Sequence, residues 1–157
     1  MRSLTADDSM RTKVPWSDVV IDVQGPYTRA EGGDQYVLSY HCLLLRVPKL
    51  QAFASLKAAE FSRALVSCIL RTRVIPDIVR SDRGPEMTRA INQEFLALLG
   101  IKHVKGAAFT PRHQGPGERA HQTIMNNHLL LMNEICRAFT QEWASLVPAL
   151  EYLCDGA

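Results

Sequence analysis

Residues 16–26 read Trp16-Ser17-Asp18-Val19-Val20-Ile21-Asp22-Val23-Gln24-Gly25-Pro26. Val19, Val20, Ile21 and Val23 are β-branched and Gly25-Pro26 stops them, so Ser17 to Val23 reads as a buried strand running into a turn. One carboxylate, Asp22, sits near the end of that strand. Gln35 to Val47 is a long apolar stretch ended by Pro48, better divided into two strands, or a strand and its bent continuation, than read as a helix. From Ala54 to Arg71 the period changes. Ala58, Phe61, Leu65, Cys68 and Ile69 recur at spacings of three and four and lay one apolar stripe along a helix.

Beyond Pro76 a short strand, Asp77 to Arg80, ends at Ser81-Asp82-Arg83-Gly84-Pro85, a turn by composition, so Asp82 lies just past a strand end. Thr88 is placed to cap a second helix with Ile91, Phe95, Leu98 and Leu99 on its inner face and Gly100 at its C′ position. A brief strand, Ile101 to Val104, follows. Residues 105–117 hold three glycines and two prolines with no apolar repeat, a loop longer than most connections. Glu118 to Arg137 carries two adjacent stripes, Ile124, His128, Leu131, Ile135 and Met125, Leu129, Met132, Cys136, on one long helix. A last helix, Gln141 to Leu153 with a break at Pro148, turns Trp143, Val147 and Leu150 inward. This order predicts an α/β fold, a mixed sheet of about five strands flanked by helices, which suits a ribonuclease H-like architecture.

The 157 residues, 46% hydrophobic and 22% charged, fit one domain, residues 16–157, behind a loose polar lead-in of residues 1–15. No run of about 18 apolar residues exists, so no membrane span is expected, and the acidic start is no secretory signal. Cys42, Cys68, Cys136 and Cys154 lie far apart, without zinc-ligand spacing, and read as reduced, buried thiols. The net charge is +2. Its distribution is uneven: residues 71–119 hold nine basic side chains against five acids, a basic centre with carboxylates embedded in it.

Asp22, Asp82 and Glu118 stand out within that frame, at a strand end, just past a strand end, and at the start of a helix behind the glycine-bearing loop. Each has a plain structural use alone, as a strand-end cap, a turn former and a helix-dipole partner. Together they form the hard oxygen donor set that Mg²⁺ or Mn²⁺ requires, and two such ions serve phosphoryl transfer. Sixty positions separate Asp22 from Asp82, and 35 residues lie between Asp82 and Glu118.

In that spacing, and in Ile21-Asp22-Val23-Gln24-Gly25-Pro26, Ser81-Asp82-Arg83-Gly84-Pro85-Glu86 and residues 110–121 (Thr-Pro-Arg-His-Gln-Gly-Pro-Gly-Glu-Arg-Ala-His), the chain resembles the catalytic core of retroviral and long-terminal-repeat retrotransposon integrases. The resemblance runs from Trp16 to Leu153. It implies that Asp22, Asp82 and Glu118 are catalytic residues and ligands of Mg²⁺ or Mn²⁺, two ions in all. The implied reaction is 3′-end processing and DNA strand transfer without a covalent enzyme intermediate. Arg83, Lys105, Arg112, His113, Gln114, Gly115 and Arg119 become candidate DNA contacts. The implied partners are element-end and target DNA and a second copy in a homodimer or larger homo-oligomer, with no small-molecule substrate and no membrane. The implied place of action is the nucleus.

His41, Met87 and His121 depart from the family's usual residues, and none of them removes a carboxylate of the triad. The His/Cys zinc module and downstream domain of full-length relatives lie outside this core segment, which is expected to be cut from or encoded by a retroelement polyprotein. The rival reading is a domesticated or decayed core that binds nucleic acid or a protein partner without catalysis. A ribonuclease H or exonuclease is disfavoured, because no fourth carboxylate fits.

Overall fold

The strand read from residues 17–23 is β1, Asp18–Gln24, and it lies in the middle of the sheet. The computed structural model describes residues 14–82, 84, 90–106 and 116–155, the stretch 116–125 as helix backbone alone. β1 pairs antiparallel with β2 (Tyr36–Cys42), which pairs antiparallel with β3 (Pro48–Phe53). Helix α1 (Ala58–Thr72) carries the chain over to β4 (Ile78–Ser81), parallel to β1. Helix α2 (Gln93–Leu98) leads to β5 (Lys102–Lys105), parallel to β4. Helices α3 (Pro116–Ala138) and α4 (Trp143–Asp155) complete the order. The strands run β3-β2-β1-β4-β5, a mixed five-stranded sheet.

Strand alternation divides the core in two. Val19, Ile21, Leu38, Tyr40 and Val79 pack on one face against Phe61, Leu65 and Cys68 of α1 and Leu96 of α2. Val37 and Leu50 pack on the other face against Met132 and Cys136 of α3 and Trp143, Val147 and Leu150 of α4. Asp22, facing Ser39 across the β1–β2 ladder, belongs to this second face. All four cysteines are free and buried, as expected. Among the described residues no helix is long and apolar enough to cross a membrane.

Outermost strand β3 is covered rather than left open. Glu151 of α4 accepts the Leu50 N–H at 2.7 Å, and Arg71 of α1 donates to the Leu50 carbonyl at 2.8 Å while pairing with Glu151 at 2.6 Å. These contacts occupy the outward N–H and carbonyl of Leu50, groups that would otherwise template another strand.

Four local expectations need correction. Pro48 opens β3 instead of closing the apolar stretch, because an outer strand tolerates a residue without an N–H. In the second helix Ile91, Phe95 and Leu99 pack on the core as expected, but Leu96 is buried and Leu98 is 86% exposed, because the core lies on the Leu96 side of that stripe; α2 starts at Gln93 behind an Asn92 cap. Of the two stripes on α3, Met132 and Cys136 are buried and Leu131 is exposed, since α3 covers the sheet with a narrower face. Helix α4 runs through Pro148 without a break. Gly100, with φ +72°, takes the left-handed position expected of it. Thr88 and residues 1–13 of the lead-in lie outside the described residues.

Candidate active site

β1 and β4 pair with Asp18 opposite Ile78 and Val20 opposite Arg80; two residues further along come Asp22 and Asp82. Neighbouring strands lie about 4.8 Å apart, so this register sets the two carboxylates side by side on the face beneath α3. Asp22 is partly buried and Asp82 exposed. Burial raises the Asp22 pKa, the Asp82 charge raises it further, and the Val23 N–H, 3.0 Å from Asp22 Oδ1, works the other way. Asp82 Oδ1 accepts the Gly84 N–H at 3.1 Å, which folds the chain back at the strand end.

The turn after β1 leaves the strand end open. Gly25 has φ +125°, and a Cβ there would meet the Gln35 carbonyl at 2.6 Å, so glycine is required. Tyr27 follows, its hydroxyl 3.2 Å from Gln24 Oε1 and 3.0 Å from Asn133 Oδ1 of α3, donating to one of the two. Its ring packs edge-on against Trp143 at 5.4 Å. Burial, with Cys136 and Asp22 nearby, raises the Tyr27 pKa and keeps it a neutral phenol. The start of β1 shows what a neutralised acid looks like here. Asp18 receives Nε and Nη2 of Arg80, both at 2.8 Å, a two-pronged ion pair. Asp22 and Asp82 have no such cation among the described residues.

Two acids side by side, with no basic partner among the described residues, and offering hard oxygens are a fit for a divalent cation. Among the described residues no three His, Cys, Asp or Glu side chains gather around one point. Glu118 is the third residue of α3, behind Pro116 and Gly117, and its side chain, like that of Arg119, lies outside the described residues. The described part of α3 meets the sheet through Met132, Cys136 and His128, the last stacked on His41 at 5.7 Å, and meets the turn after β1 through Asn133, 3.0 Å from the Tyr27 hydroxyl. The structure thus brings Asp22 and Asp82 together and leaves the Glu118 carboxylate undescribed. Lys105 is exposed at the end of β5, opposite Ser81. Arg83, Arg112, His113, Gln114 and Gly115 lie outside the described residues.

Sequence reasoning missed Tyr27, the Asp18–Arg80 pair and a Ser81–His103 contact of 2.6 Å. Each joins residues at least 22 positions apart, or depends on strand register, and no local pattern marks it.

A solved structure of the catalytic core domain of BIV integrase superposes with a TM-score of 0.57 over 87% of this chain and 81% of that one, at 15% identity. The Gag-Pro-Pol polyprotein of squirrel monkey retrovirus is 38% identical over 76 residues, 46% of this chain and 4% of the polyprotein. Gypsy retrotransposon integrase-like protein 1 of Bos taurus is 22% identical over 143 residues, 91% of this chain and 28% of that protein. The fold is that of an integrase catalytic core. The homologues of this integrase-like core are retroviral polyproteins and gypsy integrase-like proteins. It spans a small part of either relative's length. No family model matches it.

Proposed function

We propose that this integrase-like core is a divalent-metal-dependent polynucleotidyl transferase of a retroelement, which trims DNA 3′ ends and joins them to target DNA. The observation that carries the reading is the Asp22–Asp82 pair, two acids at neighbouring strand ends with no basic partner among the described residues. Glu118, at the N-terminal turn of α3, is the proposed third ligand. Bound Mg²⁺ or Mn²⁺ supplies positive charge for the attacking and leaving oxygens of an in-line displacement at phosphorus.

The chain's own residues hold and orient. Asp22 is fixed by its rigid strand and by the Val23 N–H, and Asp82 by the Gly84 N–H. In the first step a water oxygen bonds to phosphorus, the bond to the 3′ oxygen breaks, and that oxygen leaves as a hydroxyl. In the second step the new 3′ hydroxyl attacks a target phosphodiester, so one bond is exchanged for another and no external energy source is needed. Ser81 takes no part as a nucleophile; it is 1% exposed and alternates to the opposite face from Asp82. Arg83, Lys105, Arg112, His113, Gln114, Gly115 and Arg119 are the proposed DNA contacts, a homodimer or larger assembly is the proposed working form, and the nucleus the proposed place of action.

The test is a gel assay of strand joining, and of its reversal on a branched oligonucleotide, with Mn²⁺ and with chelator. Product formed with the metal alone supports the reading. A folded protein that binds the oligonucleotide and yields no product in either direction favours the non-catalytic reading.

A further inference from the structure

Behind Asp82, on the face of the sheet turned towards α1 and α2, three side chains from three elements form a line that the proposed chemistry does not use. Nε2 of His103, in β5, is 2.6 Å from Ser81 Oγ at the end of β4, and its Nδ1 is 2.7 Å from Nε2 of Gln93, the first residue of α2. The amide nitrogen of Gln93 can only donate, so His103 Nδ1 accepts and His103 Nε2 carries the proton. That N–H donates to Ser81 Oγ, and the Ser81 hydroxyl donates to the carbonyl of Asp82 at 3.2 Å. Burial, with Lys105 nearby, lowers the His103 pKa and keeps the ring in the neutral state this line requires.

The line ends where the sheet gives out. β4 stops at Ser81, whose carbonyl accepts the Gly106 N–H at 2.7 Å, and beyond that bond Asp82 has left the ladder. Two like charges side by side push apart, so the second carboxylate needs its backbone held if the pair is to grip one cation. We infer that His103, oriented by Gln93, is a positioning residue for Asp82: through the Ser81 hydroxyl it fixes the Asp82 carbonyl and with it the direction of the carboxylate. The inference rests on the reading that Asp22 and Asp82 bind a divalent ion.

The experiment uses the full chain as wild type, His103→Leu, His103→Gln, Ser81→Ala and Asp82→Asn. Mn²⁺ affinity is read by calorimetry and the Gly84 amide by hydrogen exchange. The expected result is that His103→Leu and Ser81→Ala weaken Mn²⁺ binding about 10- to 100-fold, the usual effect of losing an outer partner of a metal ligand. Both should also speed Gly84 exchange, while His103→Gln, which keeps a donor, restores most of the affinity and protection. Folded variants with wild-type Mn²⁺ affinity and unchanged Gly84 exchange overturn the inference; if His103→Leu does not fold, Ser81→Ala decides. Asp82→Asn separates the two ideas. If wild type and Asp82→Asn bind Mn²⁺ alike, the metal reading fails, and Gly84 exchange alone then judges the positioning of Asp82.

Discussion

Asp22, near the end of β1, and Asp82, just past the end of β4, interact side by side two positions beyond the Val20–Arg80 pair, while Asp18 at the other end of β1 is ion-paired with Arg80. Burial first, and the Asp82 charge second, raise the Asp22 pKa. For an acid shifted upward, the stabilising contribution is complete below the ordinary carboxylate range and is lost as pH rises through the raised value. A cation beside the pair would offset both the burial and the Asp82 charge that disfavour the ionised form of Asp22.

Asp22→Asn should make the metal-free protein more stable at pH 7, raising Tm by about 2 to 4 °C, the shift that ~1 kcal/mol produces in a chain of this size. Added Mn²⁺ should raise the Tm of the wild type and leave that of the variant unchanged. Thermal melts with and without the metal check both; a variant that melts lower than wild type without metal speaks against charge strain at this site.

Glu151 closes the outer strand through Leu50, Arg71 and Lys49. Breaking a buried pair from one side costs about 3 to 5 kcal/mol. Arg71 is 36% exposed here, so solvent takes up part of the loss, and Glu151→Ala should cost about 2 kcal/mol in urea unfolding. Glu151→Gln keeps an acceptor for Leu50 and should cost less. Equal midpoints for wild type and Glu151→Ala would show that the cover over β3 is dispensable.

His103 and His128 have pKa values lowered from 6.5, by burial foremost in both. A lowered imidazole contributes stability that is present above its ordinary value and lost as pH falls through the lowered one. Tm should thus decline from pH 7 to pH 5. His128→Leu, which removes the ring stacked on His41, should flatten part of that decline, and a pH series of melts of the two proteins reads it directly.

Burial pushes the thiols of Cys68, Cys136 and Cys154 up to about 11, and Cys42 is fully buried. A thiol reagent at pH 8 should find no rapidly reacting cysteine in the folded chain and all four after denaturation. Fast reaction of one thiol in the native protein would contradict the packing of its helix or strand.

The order of strands and helices is legible in the sequence because a β-branched run stopped by Gly-Pro and an apolar period of three to four are local signals, strong in residues 18–24 and 58–72. The exact inner face of α2 is not. Ile91, Phe95 and Leu99 do pack on the core, but Leu96 is buried and Leu98 exposed, a rotation of less than a turn that the apolar spacing alone does not resolve. The two aspartates can be picked out by position and spacing, whereas their adjacency depends on the β1–β4 register, which parallel strands 60 residues apart do not announce. His103 gives no hint of its contact with Ser81 for the same reason: register, not pattern, sets it there.

Whether three carboxylates run metal-dependent chemistry on DNA is read from the reversal of strand joining on a branched oligonucleotide. Wild type, Asp22→Asn, Asp82→Asn and Glu118→Gln, each shown to be folded by circular dichroism, are compared with Mn²⁺ under identical conditions. Product should form with the wild type, with none of the three variants, and near normally with Ser81→Thr, which keeps the hydroxyl. Product from a wild type whose activity survives Asp22→Asn or Glu118→Gln would contradict that role of the three carboxylates.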